Sequence, residues 1–160
     1  MILQEIKAGQ EQAIFPLIDE RIEEAGIRSR IDPDYAKLLI TQNLFGKGIE
    51  VFTDDIAKPN CALVMSYGRL SILTEECAII SFIHVSKALR EKDVVASLTL
   101  GKTMLKVAEL QARNHRCHSL RGTSLVWRGG PDISSFFEAH EFELQSHEYV
   151  KLLNHNGHEL

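Results

Sequence analysis

No apolar run in this 160-residue sequence approaches the ~20 residues that a membrane helix needs. The opening stretch MILQEIKAGQEQ also lacks the apolar core that marks a secretory signal, so a soluble, cytoplasmic protein without a membrane partner is expected. Positive charge is in short supply: 18 Lys and Arg against 22 Asp and Glu leave a formal net charge of −4. That balance gives no electrostatic footprint for nucleic acid. Cysteine is scarce, and Cys61, Cys77 and Cys117 are an odd number at wide spacing. Neither a disulfide framework nor a CxxC metal clamp follows from them. Repeats, linkers and low-complexity tracts are missing as well. What remains is an ordinary globular composition, 44% hydrophobic and 25% charged, in a chain long enough for one core without staples. One domain over residues 1–153 is expected, followed by a polar tail, 154–160.

Periodicity orders the elements. Residues 1–7 alternate loosely as a first strand. Ala13, Ile14, Leu17, Ile18, Ile22 and Ala25 recur at three- and four-residue steps, which predicts a helix over 10–25 that Pro16 kinks or splits and Gly26 ends. Asp32-Pro33 reads as an N-cap followed by proline at the first helical position, opening a second helix through Tyr35, Leu38, Leu39 and Leu44. Short strands are expected over 48–53 and 60–65, a turn at Tyr67-Gly68-Arg69, and a further strand over 70–74. The run CAIISFIHV, 77–85, is apolar throughout and reads as a central strand covered on both faces. Residues 93–114 form the clearest helix, with Val94, Leu98, Leu105, Ala108 and Ala112 near one stripe. Strand over 119–127, a short helix over 132–139 and a closing strand over 142–152 complete a β-αα-βββ-α-β-α-β order. That is an α/β or α+β domain whose first half is mostly antiparallel.

Two stretches carry a likeness. FIHVSKALREKDVVASLTLGKTMLKVAELQARN sets a buried strand before a short basic loop and a long helix. GPDISSFFEAHEFELQSHEYVKLL sets a short helix with paired aromatics before a closing strand. In order and spacing the chain resembles the GNAT superfamily of acyl-CoA-dependent N-acetyltransferases. There the first stretch reads V-x-x-x-x-R-G-x-G-x-G/A and the second N-x-x-A-x-x-F/L-Y-E-K-x-G-F. The resemblance implies a mixed, mainly antiparallel central sheet flanked by helices. In an active member it implies acetyl-CoA as cofactor and acetyl transfer to an amine. Arg90, Lys92, Val94, Val95, Ala96 and Ser97 would then hold the coenzyme, and Glu76 or His84 would accept the substrate proton.

The departures from those patterns shape the expectation. Glycine in the loop lets backbone amides at a helix N-terminus reach a pyrophosphate, but here Glu91, Asp93 and Val95 stand in those places. Asp93 can cap the helix with its own carboxylate. A β-branched Val95 suits no position that needs positive φ. The tyrosine that would protonate a departing thiolate falls within Phe136-Phe137, the early asparagine is Gly130, and the late glycine is Glu141. Packing residues persist while chemistry residues are lost. A non-catalytic protein-binding or structural module that uses no cofactor is therefore expected, with a divergent N-acetyltransferase as the alternative. Its partner would be another protein or a second copy, with the apolar side of LQSHEYVKLL as a homo-oligomer edge. Small proteins of this appearance also resemble acetyltransferase-like proteins encoded by bacteriophages, some of which would reside in the phage particle.

Other chemistry-bearing residues have plainer readings. Glu75 and Glu76 suit a solvated strand entry, and His84 suits a hydrogen-bonded sheet histidine. His115, Cys117 and His118 invite zinc, yet no second ligand pair stands at a zinc-site spacing, so no metal is expected. Cys117 reads as a free buried thiol and not as a nucleophile. Trp127, Phe136, Phe137 and Phe142 read as core aromatics between the last helix and the sheet.

Overall fold

The computed structural model describes residues 2–25, 32–69, 75–122 and 134–142. Strand β1 is only Gln4–Glu5, and the Ile6 amide adds a bond to the Val51 carbonyl, 2.8 Å. A single 3₁₀ turn, Glu11–Ile14, precedes α1, Phe15–Ala25. Pro16 therefore falls in the first turn of α1, where its missing N–H costs nothing, and it splits the expected helix instead of kinking it. Helix α2 is Pro33–Phe45, capped by Asp32, whose side chain accepts from the Asp34 amide. Strands β2, Ile49–Thr53, and β3, Cys61–Gly68, follow. β3 runs through Tyr67 and Gly68, which had been expected to turn. Strand β4 is Cys77–Val85, with the expected boundaries.

Two helices then stand where one was expected: α3, Lys87–Lys92, and α4, Val94–Asn114. Strand β5, Ser119–Gly122, and α5, Ser134–Glu138, complete the described elements. The strand read over 70–74, the rest of that over 119–127 and the closing strand beyond Phe142 lie outside the described residues.

The five described strands form one sheet in chain order. The pairs β1–β2, β2–β3 and β3–β4 are antiparallel, and β4–β5 is parallel. This is the mixed, mainly antiparallel sheet flanked by helices expected from the sequence. Helix α4 covers one face, where Leu100, Met104, Leu105 and Ala108 pack on Phe52, Leu63, Met65, Ala78 and Ile80. Helix α1 covers the other, where Leu17, Ile18 and Ile22 pack with Val51, Ala62 and Val64. Fully burying each of these aliphatic side chains contributes about 1.5–3 kcal/mol. The α2 apolar row behaves differently: only Leu44 is buried, while Tyr35, Leu38 and Leu39 face solvent. The α4 stripe holds at Leu105, Ala108 and Ala112, which are buried, but departs in the first turns, where Val94 and Leu98 are exposed and Ser97, Gly101 and Met104 are buried in their place.

Two local features hold the sheet in register. Asp54 accepts from the Asn60 and Cys61 amides and from Asn60 Nδ2, tying off the β2–β3 connection. Burial pushes this carboxyl up, but those hydrogen bonds outweigh it and leave it below the usual range. In β4 the register slips: Met65 pairs with Ile80 while Val64 pairs with Phe82. Ser81 is thus an extra residue, a β-bulge, and the alternation of side chains restarts after it. Ala78 and Ile80 face α4 before the bulge, and Ile83 and Val85 face it afterwards. Phe82 packs on the α1 face, and His84 reaches Glu20 of α1.

Candidate functional site

The segment between β4 and α4 is helical, because nothing in KALREK breaks a helix and every residue in it favours one. Ser86 caps α3, its Oγ accepting from the Leu89 amide at 3.3 Å. Glu20 of α1 adds a second cap, accepting from the Lys87 amide at 2.7 Å. The expected loop is therefore corrected to a turn and a half of helix. Asp93 is extended, with φ −148°, and serves both neighbours as a junction. Its amide closes α3 on the Leu89 carbonyl. Its carboxylate accepts from the Ala96 amide at 2.9 Å, and its carbonyl accepts from the Ser97 amide at 3.0 Å. Val95 lies inside α4, so it never meets a positive φ.

Arg90 is engaged within the protein. Its Nε donates to the Val85 carbonyl, 2.9 Å, and its Nη2 pairs with Glu24. Lys92 is exposed at the end of α3, and Val94 and Val95 are solvent-facing. Of the expected coenzyme-binding residues, Arg90 and Ser97 line a common cleft. Ser97 Oγ bonds back to the Val94 carbonyl, as helical serines do.

That cleft, about 240 Å³, lies between the end of β4, the first half of α4, α1 and α5. Its apolar wall is Ile83, Val85, Leu98, Met104 and Phe136, and its polar wall is Arg21, Glu24, His84 and Arg90. Gly101 makes the aromatic side possible: a Cβ there would sit 3.3 Å from the Phe136 ring. Phe137 turns the other way and is buried, so close to Gly122 that an added Cβ would meet its ring at 2.6 Å. Glu141, where the family pattern has glycine, has φ 65°. That is the left-handed region, which favours glycine over a residue with a side chain.

His84 is buried, and its Nε2 lies 2.7 Å from Glu20 Oε1. Burial pulls the imidazole below its usual range despite the neighbouring carboxylate. Burial raises the Glu20 carboxyl, but bonds from His84 and the Lys87 amide, with the His84 and Arg90 charges, bring it lower than usual. The pair is then a neutral imidazole donating Nε2–H to a carboxylate, since an ionised carboxylate can only accept. Glu76 is exposed at the other end of β4, about 26 Å away at 3.3 Å per residue, and its carbonyl accepts from the His118 amide. Glu76 and His84 therefore serve no common site. The α1 residues Glu20, Arg21 and Glu24 were not singled out from sequence; the i, i+4 spacing of the two glutamates was the available signal.

The third cluster does not converge. His115 stacks on Tyr67 with centroids 3.8 Å apart, and its Nε2 lies 2.8 Å from Glu50, which also accepts from the Tyr67 hydroxyl. His118 lies 3.7 Å from Glu75. Among the described residues no three His, Cys, Asp or Glu side chains gather as metal ligands. Nor, among these residues, is any helix long and apolar enough to cross a membrane.

The fold is that of the GNAT N-acetyltransferases. A predicted acetyltransferase from Clostridium acetobutylicum, crystallised with acetyl-CoA, superposes with a TM-score of 0.72 at 11% identity, covering 99% of each chain. The ribosomal-protein-alanine N-acetyltransferase from Brucella melitensis biovar Abortus 2308 superposes with 0.66 at 12% identity, over 96% of this chain and all of its own. An integron cassette protein from the Cole Harbour Salt Marsh metagenome superposes with 0.70 at 13% identity, over 97% and 91% of the two chains. No protein-family model and no curated protein sequence matches the chain.

Proposed function

We propose that this GNAT-fold protein works by binding and not by acetyl transfer from acetyl-CoA. The observation that carries the reading is Asp93, which occupies the start of α4 with its own carboxylate. A pyrophosphate needs the first amides of a helix free and the local field positive; here the Ala96 amide is engaged by the Asp93 carboxylate and a negative charge stands at the helix start. Helix α3 stands where a loop was expected, and Glu24 holds Arg90. The residues present do not fit the coenzyme's pyrophosphate. Contact with another protein surface is supported by the open apolar row on α2, where Tyr35 is 59% and Phe45 81% exposed. A second copy of the chain is the partner proposed, and light scattering across a concentration series tests it.

The coenzyme is tested by thermal unfolding with and without millimolar acetyl-CoA or CoA. A ligand at 100 times its dissociation constant stabilises by about 2.7 kcal/mol, so binding would be plain. No shift is expected for the native chain, and a gain is expected once Asp93→Gly and Val95→Gly are introduced together. A divergent N-acetyltransferase is the second reading, favoured by the neutral His84 beside Glu20 in the cleft and by the coenzyme bound in the Clostridium neighbour. A clear rise with native protein would establish that reading instead.

A further inference from the structure

We propose that the cleft between β4 and α4 binds an uncharged small molecule with an aryl or short alkyl body, in preference to an ion of either sign. The inference rests on the reading that acetyl-CoA does not use this cleft. Charge balance selects the ligand. Arg21 and Arg90 stand on the polar wall, and two carboxylates of α1 answer them. Glu24 pairs with Arg90 and acts on Arg21, and Glu20 acts on Arg90 from beside His84. His84 is held neutral by burial. Two positive and two negative charges among these described residues cancel. An entering ion would shed its water against a partly desolvated wall that offers no unmatched counter-charge, whereas a neutral body loses little by leaving water.

Wall chemistry and size agree. Ile83, Val85, Leu98, Met104 and Phe136 make the apolar side. The half-buried Phe136 ring offers offset or edge contacts to an aryl group, and the Met104 thioether favours the same partner. A cavity near 150 Å³ with apolar walls accommodates benzene, so about 240 Å³ holds a ring with a short arm. For the end of that arm the polar wall has donors on its guanidiniums and an acceptor at Ser97, whose Oγ gives its proton to the Val94 carbonyl and keeps its lone pairs. A hydroxyl, which both donates and accepts, suits such a wall. Leu98 lines the cleft while 53% exposed, which places it at the mouth.

The test is a saturation-transfer NMR titration of the full chain with 3-phenylpropan-1-ol, beside the anion 3-phenylpropionate, the cation 3-phenylpropylammonium and, separately, acetyl-CoA. The alcohol is expected to bind at least tenfold more tightly than either ion. Leu98→Trp should block it; since Leu98 is half exposed, that variant should keep the native melting temperature. Glu24→Gln takes one anion from the wall and should move the preference toward the carboxylate. An ion that binds as tightly as the alcohol, alcohol binding indifferent to Leu98→Trp, or a preference unmoved by Glu24→Gln would overturn the proposal. Silence of the alcohol and of acetyl-CoA alike would overturn it while leaving the reading of the coenzyme site in place. Binding of acetyl-CoA to the native chain would overturn that reading and this inference together.

Discussion

Glu20 and His84 are 64 residues apart in sequence and meet at 2.7 Å, Oε1 to Nε2. One helix and one strand are thereby joined by a neutral imidazole and a carboxylate, and stability acquires a pH dependence. The histidine's folded pKa lies below its ordinary 6.5, so as pH falls below that value the unfolded chain takes up the proton first. Stability is then lost from about pH 6.5 downward to the folded pKa. Glu20, also lowered from 4.5, adds a separate loss only as pH falls below about that value. Urea unfolding between pH 7.5 and 5 should show the first loss, and His84→Gln should flatten it. An unchanged slope in the variant would remove His84 as the cause.

Two glycines contact neighbouring phenylalanines, and their substitutions should differ in sign. Gly122→Ala drives a methyl against the buried Phe137 ring at 2.6 Å, an overpacking that costs about 1–3 kcal/mol. Gly101→Ala places its methyl 3.3 Å from Phe136, a half-buried ring beside the cleft that has room to yield. Alanine also gains about 1 kcal/mol over glycine inside a helix. Thermal melts should show Gly122→Ala clearly destabilised and Gly101→Ala neutral or better.

The thiols should react in a fixed order. Cys61 is fully buried, and burial with the nearby Asp54 charge pushes its thiol up to about 12. Cys77 is fully buried as well, whereas Cys117, read from the sequence as a buried thiol, is only partly covered, at the loop between α4 and β5. Burial raises the Cys117 thiol too, so labelling there should be slow but first. Timed iodoacetamide labelling read by mass spectrometry checks this, and early modification of Cys61 would contradict the packing.

Helix α3 is held from α1, by Glu20 on the Lys87 amide and Glu24 on Arg90. Glu20→Ala removes one cap and also leaves the buried His84 without its acceptor, which costs about 1–3 kcal/mol. Hydrogen exchange across residues 87–92 should quicken by more than the global loss accounts for. Uniform acceleration through the protein would mean that Glu20 does not act locally on α3.

Much of this was legible in the residues themselves. Asp32-Pro33 opened α2, the apolar run marked β4 to the residue, and Asp93 capped α4, because each signal is local. Helix α3 was misread because glycine-bearing relatives have a loop there, although KALREK alone favours helix. The outward row on α2 was misread because periodicity identifies a face without saying what covers it. Glu20, Arg21 and Glu24 went unnoticed because the i, i+4 spacing of the two glutamates puts them on one face of α1 without saying that this face meets β4.

The bulge in β4 has a consequence of a different kind. Ser81 matters for standing outside the pleat, whatever its side chain: were it to take an ordinary place in the alternation, the strand's end would rotate half a turn, sending Ile83 toward α1 and His84 toward α4. The acid–base pair and the apolar wall of the cleft would exchange sides. Comparison of residue identities is blind to this dependence, and deletion of the Ser81 codon should leave both faces as they are, because Ile80 and Phe82 then alternate without a bulge.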